Sequence, residues 1–271
     1  MFSKKKKVKV LDISGVISAG KKARGYNHYK FLEELYDIKE NDKVAGAIIR
    51  INSPGGSAGA SSELAREIEN LNKEKPVLVS ISDMCCSGGY MAAVAAREIW
   101  TSPMALVGSI GVIIQAPDAQ KLVEKIGLKM RVIKSSDMKD IGSPFRDMTE
   151  AERELFQELI NEGYEDFFEY VIAKRPQVLG ESADDTDAKN KIKETIASGA
   201  IFTAKQALKH HLTDKIGTYF EVTNRMAQIL EIKREKLQLE YVKQGSFLSR
   251  HLNGLSSSFA ESLENYFYGM K

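Results

Sequence analysis

The sequence predicts an α/β fold built on a largely parallel sheet, and three observations carry that expectation. Apolar runs short enough for strands alternate with segments whose apolar residues recur at helical spacing. The run Val44-Ala45-Gly46-Ala47-Ile48-Ile49-Arg50-Ile51-Asn52 is β-branched and nearly continuous, the pattern of a strand covered on both faces. Glycine turns close two such runs and open helices behind them. They lie at Ser53-Pro54-Gly55-Gly56-Ser57 and Ser87-Gly88-Gly89-Tyr90, about thirty residues apart.

Taken in order, Lys4 to Lys7 form a basic start expected to be a solvated tail, and Val8 to Ile13 alternate as a first strand ending at Ser14-Gly15. A loop from Ser18 to Asn27 precedes a helix over His28 to Ile38 with Phe31, Leu32 and Leu35 on one face. The strand over 44–52 leads through its glycine turn to a helix from about Ala60 to Leu71. Val77 to Ser82 is a buried strand running into Met84-Cys85-Cys86-Ser87-Gly88-Gly89-Tyr90, and the small residues Met91 to Ala96 continue as a helix.

Glu98 to Thr101 follows, then Leu106 to Ile114 as another buried strand, a helix over Ala119 to Ile126 and a strand over Met130 to Ile133. Ser135 to Phe145 is a loop rich in short polar residues. Thr149-Glu150-Ala151-Glu152 is a capping-box start for a helix that runs to about Lys174, before Pro176. Its apolar stripe, from Leu155 and Leu159 to Phe167, Phe168 and Val171, reads as core or subunit contact. Beyond the acidic stretch Glu181 to Asp187 come helices over Ala188 to Ala197 and Ala204 to His211, joined through Gly199-Ala200-Ile201-Phe202-Thr203 with Thr203 as N-cap. A helix over Phe220 to Leu230 and a strand over Leu237 to Val242 complete a domain expected to span 1–244. Residues 245–271 form an amphipathic tail that can dock on its own domain, a neighbouring subunit or a membrane surface.

Composition excludes several classes. With 39 basic and 37 acidic residues the formal charge is +2, which gives no general pull toward nucleic acid. Cys85 and Cys86 are adjacent and supply no disulfide framework; they are expected to be small buried hydrophobes. No run of 18 apolar residues encodes a transmembrane helix, and Met1 to Lys7 has the charge of a signal peptide without its apolar core. The expected place is the cytoplasm or the periphery of the cell membrane, touched through Lys4–Lys7 or the tail. His210 and His211 adjoin no other His or Cys, so neither a metal site nor a cofactor is expected.

The chemistry centres on Ser87. A serine where a strand runs through a tight turn into a helix exposes its hydroxyl at the strand's carboxyl end, while the helix start supplies unpaired N–H groups suited to an oxyanion. Read alone, the same serine can be only an N-cap. Glycine turns at the same ends of neighbouring parallel strands would face one crevice. The turn at Pro54-Gly55-Gly56 lacks the Lys-Ser/Thr ending of a nucleotide loop.

Five units stand in one order: Asn52-Ser53-Pro54-Gly55-Gly56, Ser87-Gly88-Gly89-Tyr90, Gly108-Ser109-Ile110-Gly111-Val112, Lys139-Asp140-Ile141-Gly142-Ser143-Pro144, and Gly199-Ala200-Ile201-Phe202-Thr203-Ala204-Lys205-Gln206-Ala207. Together, over roughly Val8 to Leu230, they resemble the signal peptide peptidase A (SppA) family of serine proteases. The resemblance implies a ClpP/crotonase-like fold, a spiral of β-β-α units with a helical C-terminal part, and a Ser–Lys dyad. Carried over by motif, Ser87 is the nucleophile, Lys139 the general base and Ser109 the serine that orients the lysine. The backbone N–H of Gly88 and of either Gly55 or Gly56 would form the oxyanion hole. The resemblance also implies a homo-oligomeric ring, commonly an octamer whose sites draw on adjacent protomers. Its substrates would be short, apolar, unfolded peptides such as signal-peptide remnants, cleaved without ATP.

The chemistry stands independently of the resemblance. A serine hydroxyl needs a base, and a lysine serves only as the neutral amine, far below its ordinary pKa of about 10.4. Burial among apolar groups can supply that shift. A crotonase-like acyl-CoA enzyme is the alternative with the same fold; it needs a carboxylate base, and Asp83 and Glu63 are the acids close in sequence to the glycine turns. A non-catalytic peptide-binding ring is the third reading.

Overall fold

The computed structural model describes residues 5–20, 26–180 and 186–242. Strands β1 (Lys6–Ser14), β2 (Val44–Ser53) and β3 (Val77–Cys86) are parallel neighbours, with helices α1 (His28–Glu40) and α2 (Ala58–Glu74) as their crossovers. The chain continues through α3 (Gly88–Ala93), β4 (Glu98–Thr101), β5 (Leu106–Gly108), α4 (Gln120–Lys125) and the long α5 (Glu150–Lys174). It ends in α6 (Thr186–Thr195), β6 (Ile201–Thr203), α7 (Ala204–Lys209), β7 (Lys215–Ile216), α8 (Tyr219–Ile229) and β8 (Leu237–Tyr241). The sheet runs β6-β5-β3-β2-β1-β8, with β4 on β3 and β7 on β4, and only the β5–β6 pair is antiparallel.

The near-continuous strands are covered on both faces, as their sequence demands. Alternation sorts their side chains: Val77, Val79 and Ile81 join the core under α1 and α2, whereas Leu78 joins Ile48, Trp100, Val222 and Met226 beneath α8. The capping box at Thr149 is formed, and α5 ends at Lys174. Its stripe divides. Phe167, Phe168, Val171 and Ile172 are buried in the core, and Leu155 and Leu159 are exposed.

β3 positions the site. Ile51 stands opposite Ile81, but Ser53 stands opposite Cys85, so Ser82, Asp83 and Met84 bulge against Asn52 alone. A bulge bends and twists its strand. Before it, β3 pairs with β4 over Leu78–Ile81; beyond it, β3 pairs with β5 over Met84–Cys86. The expected turn at Met84 is therefore strand as far as Cys86.

Three other stretches differ from expectation. Leu106 to Ile114 is strand only to Gly108, because Gly108 and Ser109 take φ of 115° and 53° and turn the chain out of the sheet. Met130 to Ile133 forms no strand: it pairs with no strand among the described residues, and Met130, Val132 and Ile133 are exposed. Ile201–Thr203, expected as a connection, is β6, paired to β5. Lys6 and Lys7 are the first rungs of β1 rather than tail, with Lys6 Nζ on the Leu230 carbonyl (3.2 Å) and Lys7 on Glu240 (2.8 Å). Lys4, residues 181–185 and the tail 245–271 lie outside the described residues.

Candidate active site

Ser87 occupies the junction of β3 and α3 with φ 50° and ψ −125°, a conformation that costs an ordinary side chain about 1–3 kcal/mol. The surroundings impose it. Its N–H donates to the Gly108 carbonyl (2.8 Å), and its carbonyl accepts from the N–H of Tyr90 (2.8 Å) and Met91 (3.0 Å). Tyr90 is fully buried and its hydroxyl donates to the Leu212 carbonyl at 2.8 Å, anchoring α3 from below. Ser87 itself is half-buried at the end of an otherwise buried strand tip.

The two glycine turns meet, as the parallel pairing of β2 and β3 requires. A Cβ on Gly55 (φ 102°) would lie 2.8 Å from the Ser87 Cβ, the Gly88 nitrogen and the Cys86 carbonyl oxygen. A Cβ on Gly56 would lie 2.0 Å from the Ile17 carbonyl oxygen, and one on Gly88 would meet the Ser61 Oγ at 2.0 Å. Glycine is required here by close approach as much as by backbone angle. Ser53, fully buried, pins the first turn: its hydroxyl donates to the Gly15 carbonyl (2.7 Å) and accepts from the Gly55 N–H (3.1 Å). The Gly55 N–H is thereby used. Among the described residues neither the Gly56 nor the Gly88 N–H has an acceptor.

Cys85 and Cys86 are buried, as expected. Burial pushes the Cys85 thiol well up and that of Cys86 to about 11, so both stay protonated at neutral pH. Asp83 is held by the Asn52 amide (2.7 Å), and Glu63 by the buried His28 (2.6 Å), whose other ring nitrogen meets Tyr26. The acyl-CoA alternative thus finds both of its candidate carboxylates engaged elsewhere.

Ser109 follows the Gly108 carbonyl that holds Ser87, and its own N–H donates to the Ala200 carbonyl (2.7 Å). Lys139 is exposed on a 3-10 turn, Asp137–Asp140, within the arm 111–148 that leaves the sheet after Ile110. No hydrogen bond joins Lys139 to Ser87 or Ser109 among the described residues. The structure therefore brings together Ser87, Gly88, Gly55, Gly56 and the Gly108–Ser109 turn within one chain, with Lys139 exposed and bonded to none of them among the described residues. Two contributors escaped the sequence reading. Ser53 stood unremarked inside a quoted motif, and Arg146, which grips the turn bearing Lys139, carried no local signal.

A backbone-strained serine at the carboxyl end of a parallel strand, flanked by N–H groups without acceptors among the described residues, is the arrangement a serine-type hydrolase would use. Residues 69–233 match peptidase family S49, and the chain belongs to that family; it is a serine peptidase of the SppA kind. It is 35% identical over 211 residues to the putative protease MJ0651 of Methanocaldococcus jannaschii (78% of this chain, 64% of that protein). It is 30% identical to the putative protease slr0021 of Synechocystis over 97% of this chain and 88% of that one. A putative signal peptide peptidase SppA of Enterococcus faecium is 34% identical over 78% of this chain and 60% of its own length. The fold is shared with the 1510-N membrane-bound stomatin-specific protease. Its serine-to-alanine mutant superposes with a TM-score of 0.55 at 17% identity, covering 90% of this chain and all of that one. Its lysine-to-alanine mutant bound to a substrate peptide gives 0.54 at 19% identity, over 92% of this chain and 96% of that one. The α/β architecture with a mostly parallel sheet is thus the ClpP/crotonase-like fold. Among the described residues no helix is long and apolar enough to cross a membrane.

Proposed function

We propose that the chain is an ATP-independent endopeptidase in which Ser87 attacks the peptide carbonyl, Lys139 takes its proton, and Ser109 orients the lysine. The observation that carries this reading is the Ser87 elbow with two N–H groups free beside it. Of the two candidate glycines, Gly56 joins Gly88 in the oxyanion hole, because the Gly55 N–H is already given to Ser53. Removing one such donor typically costs about 10²–10³-fold in kcat. The substrates are short, apolar, unfolded peptides, signal-peptide remnants among them. The stomatin-specific protease of the same fold has been solved with a serine replaced in one structure and a lysine in another, the two residue types proposed here.

Lys139 reaches Ser87 across a subunit boundary in a homo-oligomeric ring, an octamer by resemblance. The exposure of Lys139, with no hydrogen bond to Ser87 or Ser109 among the described residues, supports this, as do the exposed Ile113, Leu122, Ile126 and Ile133 of the arm, apolar surface that a second copy would cover. A fluorogenic peptide with an apolar residue before the scissile bond tests the whole reading. Ser87→Ala and Lys139→Ala are each expected to lose activity by about 10⁴-fold or more. A mixture of the two dead variants should recover part of it, since some sites then combine Ser87 of one copy with Lys139 of another. Undiminished turnover by both single variants sinks the dyad; a dead mixture of assembled subunits sinks the shared site.

A further inference from the structure

The turn that carries Lys139 is braced at both ends. Lys134 Nζ donates to the Asp137 carbonyl (2.9 Å) and to Asp140 Oδ1 (2.8 Å). From the other side Arg146 gives Nε to Asp140 Oδ2 (3.0 Å), and Nη2 to Oδ1 (2.8 Å) and to the Asp140 carbonyl (3.2 Å). The same guanidinium reaches the Glu152 carboxylate through Nη1 (2.9 Å) and through Nη2. Glu152 is 1% exposed at the head of α5, where it also accepts the Thr149 N–H at 2.8 Å. One arginine therefore ties the lysine's turn to the first turn of the long helix, in the bidentate geometry that suits a guanidinium and a carboxylate.

The electrostatic consequence matters more than the brace. Arg146, with Lys134 behind it, holds the Asp140 carboxyl well below the usual carboxylate range. Arg146 and the Thr149 N–H hold that of Glu152 at about 2. Both Asp140 oxygens are thus occupied by cations, one residue from a lysine whose Nζ has no acceptor among the described residues. A carboxylate free to turn toward that amine would favour the ammonium form, the form unable to act as a base.

We infer that Arg146 is the positioning residue of the general base: it fixes the Lys139 turn against α5 and keeps the Asp140 carboxylate engaged away from the Lys139 amine. The inference rests on the Ser87–Lys139 reading. The other charged groups around this turn are Lys134 and Asp137 on its own segment, Asp147 on the return, Glu152 and Arg153 on α5, and Asp118 across the groove that Arg146 lines.

The test is the pH profile of kcat/KM on the fluorogenic peptide for the full chain, Arg146→Met, Arg146→Lys, Asp140→Asn, and Arg146→Met combined with Asp140→Asn. With the clamp gone, the acid limb of Arg146→Met should move up by about one pH unit, with about a tenfold loss of kcat/KM at neutral pH. Arg146→Lys, which keeps the charge and loses the fork, should move it less in the same direction, and serves if the methionine variant does not fold. Asp140→Asn should show no upward move, and in the double variant it should return the limb to its wild-type position. A merely structural arginine would lower the rate without moving the limb. An unmoved limb in the arginine variants, or an upward shift that survives Asp140→Asn, overturns the inference. Lys139→Ala run alongside separates the two levels. If it keeps wild-type activity the dyad falls and this inference with it; if it is dead while the limbs stay in place, this inference alone falls.

Discussion

The Ser87 elbow and the Lys139 arm are built on opposite plans. The elbow is held by backbone: a strained serine, glycines packed to contact, and N–H and carbonyl groups matched across β2, β3 and β5. Its geometry is set inside one chain, which is what the proposed nucleophile and oxyanion hole would require. The arm, residues 111–148, has little burial and almost no regular pairing; its Lys139 turn is held by ion pairs, and most of its large apolar side chains are exposed. The elbow is thus encoded in packing. The arm is encoded in charge and in exposed apolar surface.

That contrast implies graded effects. The largest belongs to the elbow. Gly55→Ala sets a methyl 2.8 Å from three atoms at φ 102° and should lower stability by about 3 kcal/mol and peptide turnover by tenfold or more. Denaturant unfolding and the peptide assay read it, and a near-wild-type variant would show that the close packing is not rigid. Acid should act on the arm next. Glu152 has its carboxyl at about 2 in the folded chain, held by Arg146, against about 4.3 when unfolded. Its contribution is therefore fully present above about pH 5 and lost as pH falls toward 2. Pepsin cleavage within 111–148 should accelerate over that window and already be fast at pH 4 in Glu152→Gln. Equal protection at pH 4 and 2.5 would contradict the ion-pair account. The smallest effect on the chain itself belongs to the arm's apolar surface. Ile133→Ser should change stability by no more than about 0.5 kcal/mol while shifting light scattering toward smaller species. A drop of several degrees in Tm with assembly intact would mean that the arm packs on its own chain.

Much of the fold was legible. The strands at Val8, Val44 and Val77 and the helices at His28, Ala60, Thr149 and Phe220 announce themselves because buried strands need unbroken β-branched runs and surface helices need one apolar face. The misreadings share one cause. Val112-Ile113-Ile114 and Met130 to Ile133 have strand composition, but a strand needs an edge to pair with, and Ser109 at φ 53° carries the chain away from the sheet. Ile201–Thr203 is strand although flanked by turn and helix signals, because β5 offers it an open edge.

At the site, local sequence determined that Ser87 ends a strand, that glycines surround it and that a helix starts behind it, since each of these is a property of a few consecutive residues. Which glycine keeps its N–H free could not be read there. Gly55 and Gly56 are chemically alike, and it is the Ser53 hydroxyl, turned in to bridge the Gly15 carbonyl, that consumes one of them. Nor could a sequence of short polar residues disclose that Arg146 would fold back over Asp140 and Glu152. The turn at Ser87 is written in adjacent residues, whereas the electrostatic surroundings of Lys139 depend on charges brought close only when the chain folds back on itself.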